Sequence, residues 1–199
     1  MNARRSALCV WCFCFCASVF CQEPPAPYQF KGKVTEVAKI APLAKEGYRV
    51  ATLSASDDLS QSYHADREPK GNLEIAARLY FPEGTVAYGL FVYNRREGGR
   101  FVTVTVRICV HESVAKATAH FQKRFVGNPG NYEPAEYGRG NGAVKAKENP
   151  KSLPCSAFAV RIGDTIFSFD DDSRKAYAQV MEALLDGLGV PPVATSPAR

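Results

Sequence analysis

Residues 101–110 alternate between two kinds of side chain, and this pattern constrains the fold more than any other feature. One side of an extended strand would present only branched apolar residues: Val102, Val104, Val106, Ile108 and Val110. The other side would be mixed: Phe101, Thr103, Thr105, Arg107 and Cys109. A period of two is typical of a strand in a half-buried antiparallel sheet. The β-branched and aromatic run 86–94 and the turn sequence 95–100 complete a predicted hairpin.

A second hairpin is predicted near the end of the chain. Residues 156–162 and 165–169 flank Gly163-Asp164, which suits a two-residue turn. Each hairpin precedes a predicted helix, over 113–125 and from 171 to about 186, with Ser113 as a cap of the first. We therefore predict an α+β fold, an antiparallel sheet with helices packed on one face and a possible duplicated hairpin–helix unit.

The remaining segments are less determined by their sequence. Residues 47–53 suit a short strand, and a strand near 143–146 would interrupt the long link 127–154. Residues 72–81 fit both a helix and a strand, and Asn72 as cap and Pro82 as stop favour the helix. The structure of 33–81 as a whole stays open at this stage.

The first 21 residues resemble a signal peptide. Arg4 and Arg5 precede a stretch over 6–20 that is apolar but shorter than the ~20 residues needed to span a bilayer. This indicates a cleaved leader (1–21), a Pro-rich linker (22–32), a single domain (33–189) and a disordered tail (190–199). The mature protein is then expected outside the cytoplasm, either periplasmic or secreted.

Cys21 offers an alternative, because bacterial lipoproteins are cut just before a cysteine that receives lipid. The residue before that cysteine is normally small, whereas here it is Phe20. Lipidation of Cys21, which would anchor the protein to the envelope, therefore ranks second, and an uncleaved leader ranks third. Contact with a membrane is expected only through such a lipid or leader.

Of the seven cysteines, two lie outside the leader, Cys109 and Cys155. Export favours a disulfide between them over two buried thiols. Residue parity places both on the less apolar side of the sheet, together with Arg107 and Arg161. A cross-strand bridge would follow if their two strands are neighbours.

The charge balance argues against nucleic-acid binding. The net charge is +5, but the leader holds two of the basic residues and no acidic one. Nucleic-acid binding calls for basic residues clustered on one face. The nearest cluster is Arg95, Arg96 and Arg100, which we interpret as a solvated turn.

The familiar catalytic and metal-binding patterns are also missing. His111 and His120 are nine residues apart, too far for two ligands on one helix face, and are interpreted as surface histidines at the helix ends. The glycine-rich residues 138–142 lack the flanking strand and helix of a phosphate loop. Residues 170–172, three aspartates, fit helix capping better than calcium binding. No metal or other cofactor is expected.

One arrangement remains as a candidate site. Thr103, Thr105, Arg107 and Arg161 would share an open sheet face around the disulfide, where two arginines could hold an anion or an acidic partner. The sequence thus predicts an exported, non-catalytic protein that binds an envelope protein or an anionic ligand. A secreted hydrolase with a site scattered along the sequence is the alternative. No motif identifies a family.

Overall fold

The computed structural model of the chain describes residues 28–40, 47–59, 84–151, 156–171 and 176–191. The predicted leader, most of the linker and of the tail, the predicted helix 72–81 and Cys155 lie outside these residues. The domain boundaries therefore stay predictions.

The described residues form one antiparallel sheet, in the order β1-β2-β3-β7-β6-β5-β4. Both predicted hairpins are confirmed as β2–β3 and β6–β7, and the short strands near 47–53 and 143–146 are β1 and β5. The strand β4 was not predicted. The bounds are β1 Arg49–Ser56, β2 Thr85–Glu97, β3 Arg100–His111, β4 Tyr132–Ala135, β5 Gly142–Ala146, β6 Phe158–Ile162 and β7 Thr165–Asp171.

Three helical segments complete the described fold: a 3-10 helix, Val34–Lys39; α1, Val114–Phe121; and α2, Tyr177–Gly187. A wider π-helical turn, Gln122–Val126, continues α1. None of these described helices is long and apolar enough to cross a membrane.

The predicted Ser113 cap is confirmed, and Asp171 bonds to the first amide groups of α2 from outside the helix. The Ser113 hydroxyl accepts the Lys116 N–H at 3.2 Å at the start of α1. The Asp171 carboxylate accepts the N–H of Ala176 and, at 2.9 Å, that of Tyr177. These bonds satisfy amide groups that have no partner within the helix. Asp171 is the last residue of β7, however, and α2 begins only at Tyr177 with Ala176 as its N-cap residue, so the predicted helix start at residue 171 was wrong.

The helices pack on both faces of the sheet, so the prediction of one covered face was wrong. The α2 face holds the 3-10 helix, α2 and a core that includes Phe91, Tyr93, Val106, Ile108, Val160, Phe167, Phe169, Val180 and Leu184. The α1 face buries a second, smaller cluster: Leu59, Tyr88, Cys109, Phe121, Phe125, Tyr132, Val144, Ala159 and Ile166. On the less apolar side of β3, Cys109 belongs to this second core, whereas Phe101 is exposed.

The two hairpin–helix units do occur in sequence, but their arrangement gives no support to a duplication. Only a two-fold axis perpendicular to the sheet exchanges two antiparallel neighbours such as β3 and β7. That operation would leave both helices on the same face. Because α1 and α2 lie on opposite faces, this symmetry does not relate the two units.

The turn between β6 and β7 ties the N-terminal segment to the sheet. The Asp164 carboxylate accepts the Phe30 N–H at 3.1 Å. Gly163 has a positive φ of 58°. A Cβ placed on Gly163 would lie 1.6 Å from the carbonyl oxygen of Tyr28, so glycine is needed here both for its conformation and for space.

Candidate functional site

A small cleft opens on the α1 face, between α1 with its π-helical turn and the strands β2, β3 and β7. Its enclosed volume is only about 10 Å³, roughly the space of one water molecule. Arginine, histidine, cysteine and serine side chains lie beside aromatic and aliphatic ones. The lining residues are Tyr88, Arg107, Cys109, His120, Arg124, Phe125, Ile166 and Ser168.

Strand register and helix periodicity together assemble this cleft. Arg107 and Cys109 are two residues apart on β3 and so point to the same face. Ser168 and Ile166 of β7 are their respective partners across the strand pair. Above them, His120 and Arg124 are four residues apart, one turn along the helical segment, and therefore project from one side of it.

The charged side chains that line the cleft are two arginines, Arg107 and Arg124. Burial raises the pKa of the Cys109 thiol to about 12, and the nearby guanidinium groups of Arg124 and Arg107 act in the opposite direction. Burial also lowers the pKa of His120 to about 3, and the neighbouring His111, Arg124 and Lys123 lower it further. Among the described lining residues there is no carboxylate. The thiol and the imidazole are therefore both neutral at pH 7, and two guanidinium groups supply the charge.

His120 belongs to a buried histidine pair. Its Nδ1 lies 3.0 Å from Nε2 of His111, and Nδ1 of His111 lies 3.2 Å from the carbonyl oxygen of Asp164. Since that carbonyl can only accept, His111 donates through Nδ1–H and, being neutral, accepts through Nε2. His120 then donates through Nδ1–H, and its own Nε2 carries no proton.

The interpretation of these histidines as surface residues was wrong. His111 is 2% exposed and His120 is 8% exposed. The spacing argument assumed that both would lie on one helix, whereas His111 ends β3 and His120 lies on α1. A strand and a helix packed against it can bring residues nine positions apart into direct contact.

The four predicted binding residues do not form one site. Arg107 lines the cleft, but Thr103 donates its hydroxyl to Oδ1 of Asn94 at 2.8 Å, and Thr105 is not among the lining residues. The Arg161 guanidinium donates to two backbone carbonyl oxygens, of Gly163 at 3.1 Å and Asn141 at 3.2 Å. Arg161 thus serves the β6–β7 turn, and Arg124 is the second arginine of the cleft.

The predicted disulfide falls partly outside the described residues. Cys109 is buried and has no disulfide partner in the described part of the chain. The strands β3 and β6 are not neighbours, because β7 lies between them, so the geometric premise of the bridge was wrong. Pairing with Cys155, which is not described, stays a prediction.

The glycine-rich loop 138–142 has a structural role, and the described residues hold no cluster of metal ligands. Arg139, in the glycine-rich loop, forms ion pairs with Glu182 at 3.1 Å and with Asp186, and so ties the loop to α2. Within the described residues, no group of three or more potential metal ligands occurs.

The cleft is suited to holding an anion. Guanidinium groups bind carboxylate, phosphate and sulfate oxygens through paired, charge-assisted hydrogen bonds. A cysteine nucleophile, in contrast, requires a thiolate, and the Cys109 pKa lies far above neutrality. No protein-family model matches the chain, and no curated protein or solved structure matches it either.

Proposed function

We propose that this chain is an exported, non-catalytic protein that binds the anionic group of a ligand or envelope partner in the α1-face cleft. One observation carries the proposal: Arg107 and Arg124 line a cleft whose described walls contain no carboxylate. A positive field in a partly enclosed, low-dielectric site attracts anions more strongly than the same charges do in water.

The size of the cleft limits which part of a ligand it can enclose. Sites for drug-sized molecules usually enclose about 300–1,000 Å³, whereas this cleft encloses only about 10 Å³, roughly the space of one water molecule. It therefore has room for about one oxygen atom of a carboxylate, phosphate or sulfate group, with the rest of the ligand outside. Ser168 and Tyr88 add hydroxyl groups that can donate to such a group.

A thiol hydrolase based on Cys109 and His120 is disfavoured by the same environment. Catalytic cysteines have depressed pKa values, and a general base works best with a pKa near the working pH. Here burial raises the pKa of Cys109 and lowers the pKa of His120, so both move away from the values that catalysis requires. The Cys109 and His120 environment therefore supports binding more than covalent catalysis.

Anion binding is tested by adding inorganic phosphate, sulfate or acetate and measuring thermal unfolding and heats of binding. Arg107→Gln and Arg124→Gln should each weaken binding about tenfold or more, because a hydrogen bond to a charged group contributes about 1.5–3 kcal/mol. The wild-type melting temperature should rise with anion concentration by mass action.

The control for this experiment is Arg96→Gln, which removes an equal charge from an exposed position on the β2–β3 hairpin. Phosphate and sulfate stabilise many proteins without binding a site. Equal stabilisation of Arg107→Gln, Arg124→Gln and Arg96→Gln by these anions would therefore contradict the proposed site.

Export is supported by the basic start and apolar stretch of residues 1–21, and is tested by the intact mass of the protein from its own cells. We expect a chain that begins at Gln22, with two thiols that become alkylated in denaturant only after reduction. A diacylated or triacylated chain beginning at Cys21 would support lipid anchoring instead. A full-length mass with free thiols would contradict export.

A further inference from the structure

The β2–β3 hairpin extends beyond the rest of the sheet. Along β2, pairing with β1 runs only as far as Asn94, and along β3, pairing with β7 begins at Val104. Residues 95–103 therefore form a two-stranded arm that has no strand beside it in the described part of the chain. Gly98 and Gly99 form its turn.

The end of the arm carries an exposed aromatic ring next to arginine side chains that form no ion pair in the described residues. Phe101 is 74% exposed, the most exposed of the large apolar side chains described. Arg96 is its direct cross-strand partner, and exposed Arg100 precedes it. The carboxylate of Glu97 is paired with Arg95 at 3.2 Å. In the described residues, Arg96 and Arg100 have no ion pair.

The base of the arm is held in place, so Phe101 is presented at a defined position. The Arg95 guanidinium donates to Oε1 of Gln179 on α2 at 2.9 Å and lies 4.8 Å from the centre of the Tyr48 ring. A stiff arm loses little conformational freedom when its end meets a partner, which favours binding.

We propose that this arm docks on the surface of an anionic lipid bilayer, with Phe101 at the boundary between headgroups and acyl chains and Arg96 and Arg100 against lipid phosphates. Apolar rings flanked by basic side chains suit this interface. The contact is independent of the anion cleft and adds to any attachment through the N-terminus.

The shape of the arm favours a membrane over a protein partner. A stable protein interface buries about 800 Å² per partner against a complementary surface. A narrow hairpin end with a single exposed ring offers no such area. A fluid bilayer requires no complementary shape, and each basic side chain near an anionic leaflet strengthens binding separately.

The test is cosedimentation of the full chain with vesicles of phosphatidylcholine alone or mixed with phosphatidylglycerol. We expect binding to the mixed vesicles that weakens with added salt. Removing two charges in Arg96→Gln/Arg100→Gln should weaken it about 25-fold, since each contributes about fivefold. Phe101→Ser should weaken it about tenfold.

The matched control is Lys123→Gln/Val126→Ser, which removes one positive charge and an apolar side chain that is 45% exposed on the π-helical turn. All variants share one N-terminus, so any contribution of the apolar leader is equal among them. Equal partitioning of wild type and arm variants, or of wild type into both kinds of vesicle, would overturn the proposal.

Discussion

Replacing Gly163 with alanine should lower the free energy of unfolding by about 3 kcal/mol, from a left-handed backbone penalty plus overpacking. The backbone at Gly163 has a positive φ of 58°. The added methyl group would also collide with the Tyr28 carbonyl, which lies 1.6 Å from the required Cβ position. Relief of this overlap must displace either the β6–β7 turn or the N-terminal segment that packs on it.

Gly98→Ala is the matched control for this substitution, because Gly98 lies in the other hairpin turn with a φ of 56°. Nothing lies within 4 Å of its Cβ position, so it should lose only the backbone term, about 1–2 kcal/mol. Urea unfolding followed by circular dichroism measures both variants. Equal losses would show that the contact with Tyr28 does not constrain the turn.

Acidification should destabilise the protein through the buried histidine pair. The unfolded chain protonates His120 near pH 6.5, whereas the folded chain does so only near pH 3. The unfolded state therefore binds more protons between these values, so stability is complete above pH 6.5 and is lost as the pH falls. The slope approaches about 1.4 kcal/mol per pH unit below pH 6.5, so lowering the pH from 6.5 to 4.5 should cost about 2 kcal/mol at His120.

The surroundings of His111 and His120 also keep the pKa values of both histidines low. Burial is the largest cause of the lowered pKa of both histidines, and Lys123 and Arg124 oppose a further positive charge on His120. Asp164 and Glu112 act in the other direction on His111 but do not reverse the effect of burial.

His120→Asn isolates this contribution, because an amide can occupy the Nδ1 hydrogen-bonding position but does not titrate in this range. Free energies of unfolding are measured by urea at a series of pH values for both proteins. The variant should be less stable near pH 7 but show a shallower decline below pH 6.5. Parallel pH profiles for the two proteins would contradict protonation of His120 as the cause.

The hairpins could be predicted from sequence because their signals are local. Strict alternation over 101–110 and the Gly163-Asp164 turn each determine a structure within a few residues. The short strand β4 gives no such signal, since it has four residues and includes Pro134.

The placement of the helices depends on packing between distant segments. The mixed face of β3 and β7 holds Cys109 and Ile166, and their modest apolarity does not reveal whether a helix covers them. The sequence alone therefore left α1 and α2 on the same face. The burial of Cys109 and Ile166 against Phe121 and Phe125 shows otherwise.

The candidate site was predicted only where it lies on a strand. Arg107 was singled out by its parity with Cys109, but His120 and Arg124 reach the cleft from a helix. A signal was present: His120 and Arg124 fall in the helical stripe that contains Ala117 and Phe121, the side that packs on the sheet. Polar residues within such a stripe deserve the same scrutiny as those on a strand.

The central position of β7 has a consequence for how the chain folds. Its partner β3 precedes it by about 60 residues in sequence, and the two form the middle of the sheet. Until residues 165–171 pair with it, β3 is a long apolar edge strand of the meander β1–β2–β3. Unpaired edge strands of this kind are prone to aggregate. The sheet can therefore be completed only after residues 165–171 pair with β3. Because this pairing joins segments far apart in sequence, we expect the domain to fold more slowly than either hairpin alone.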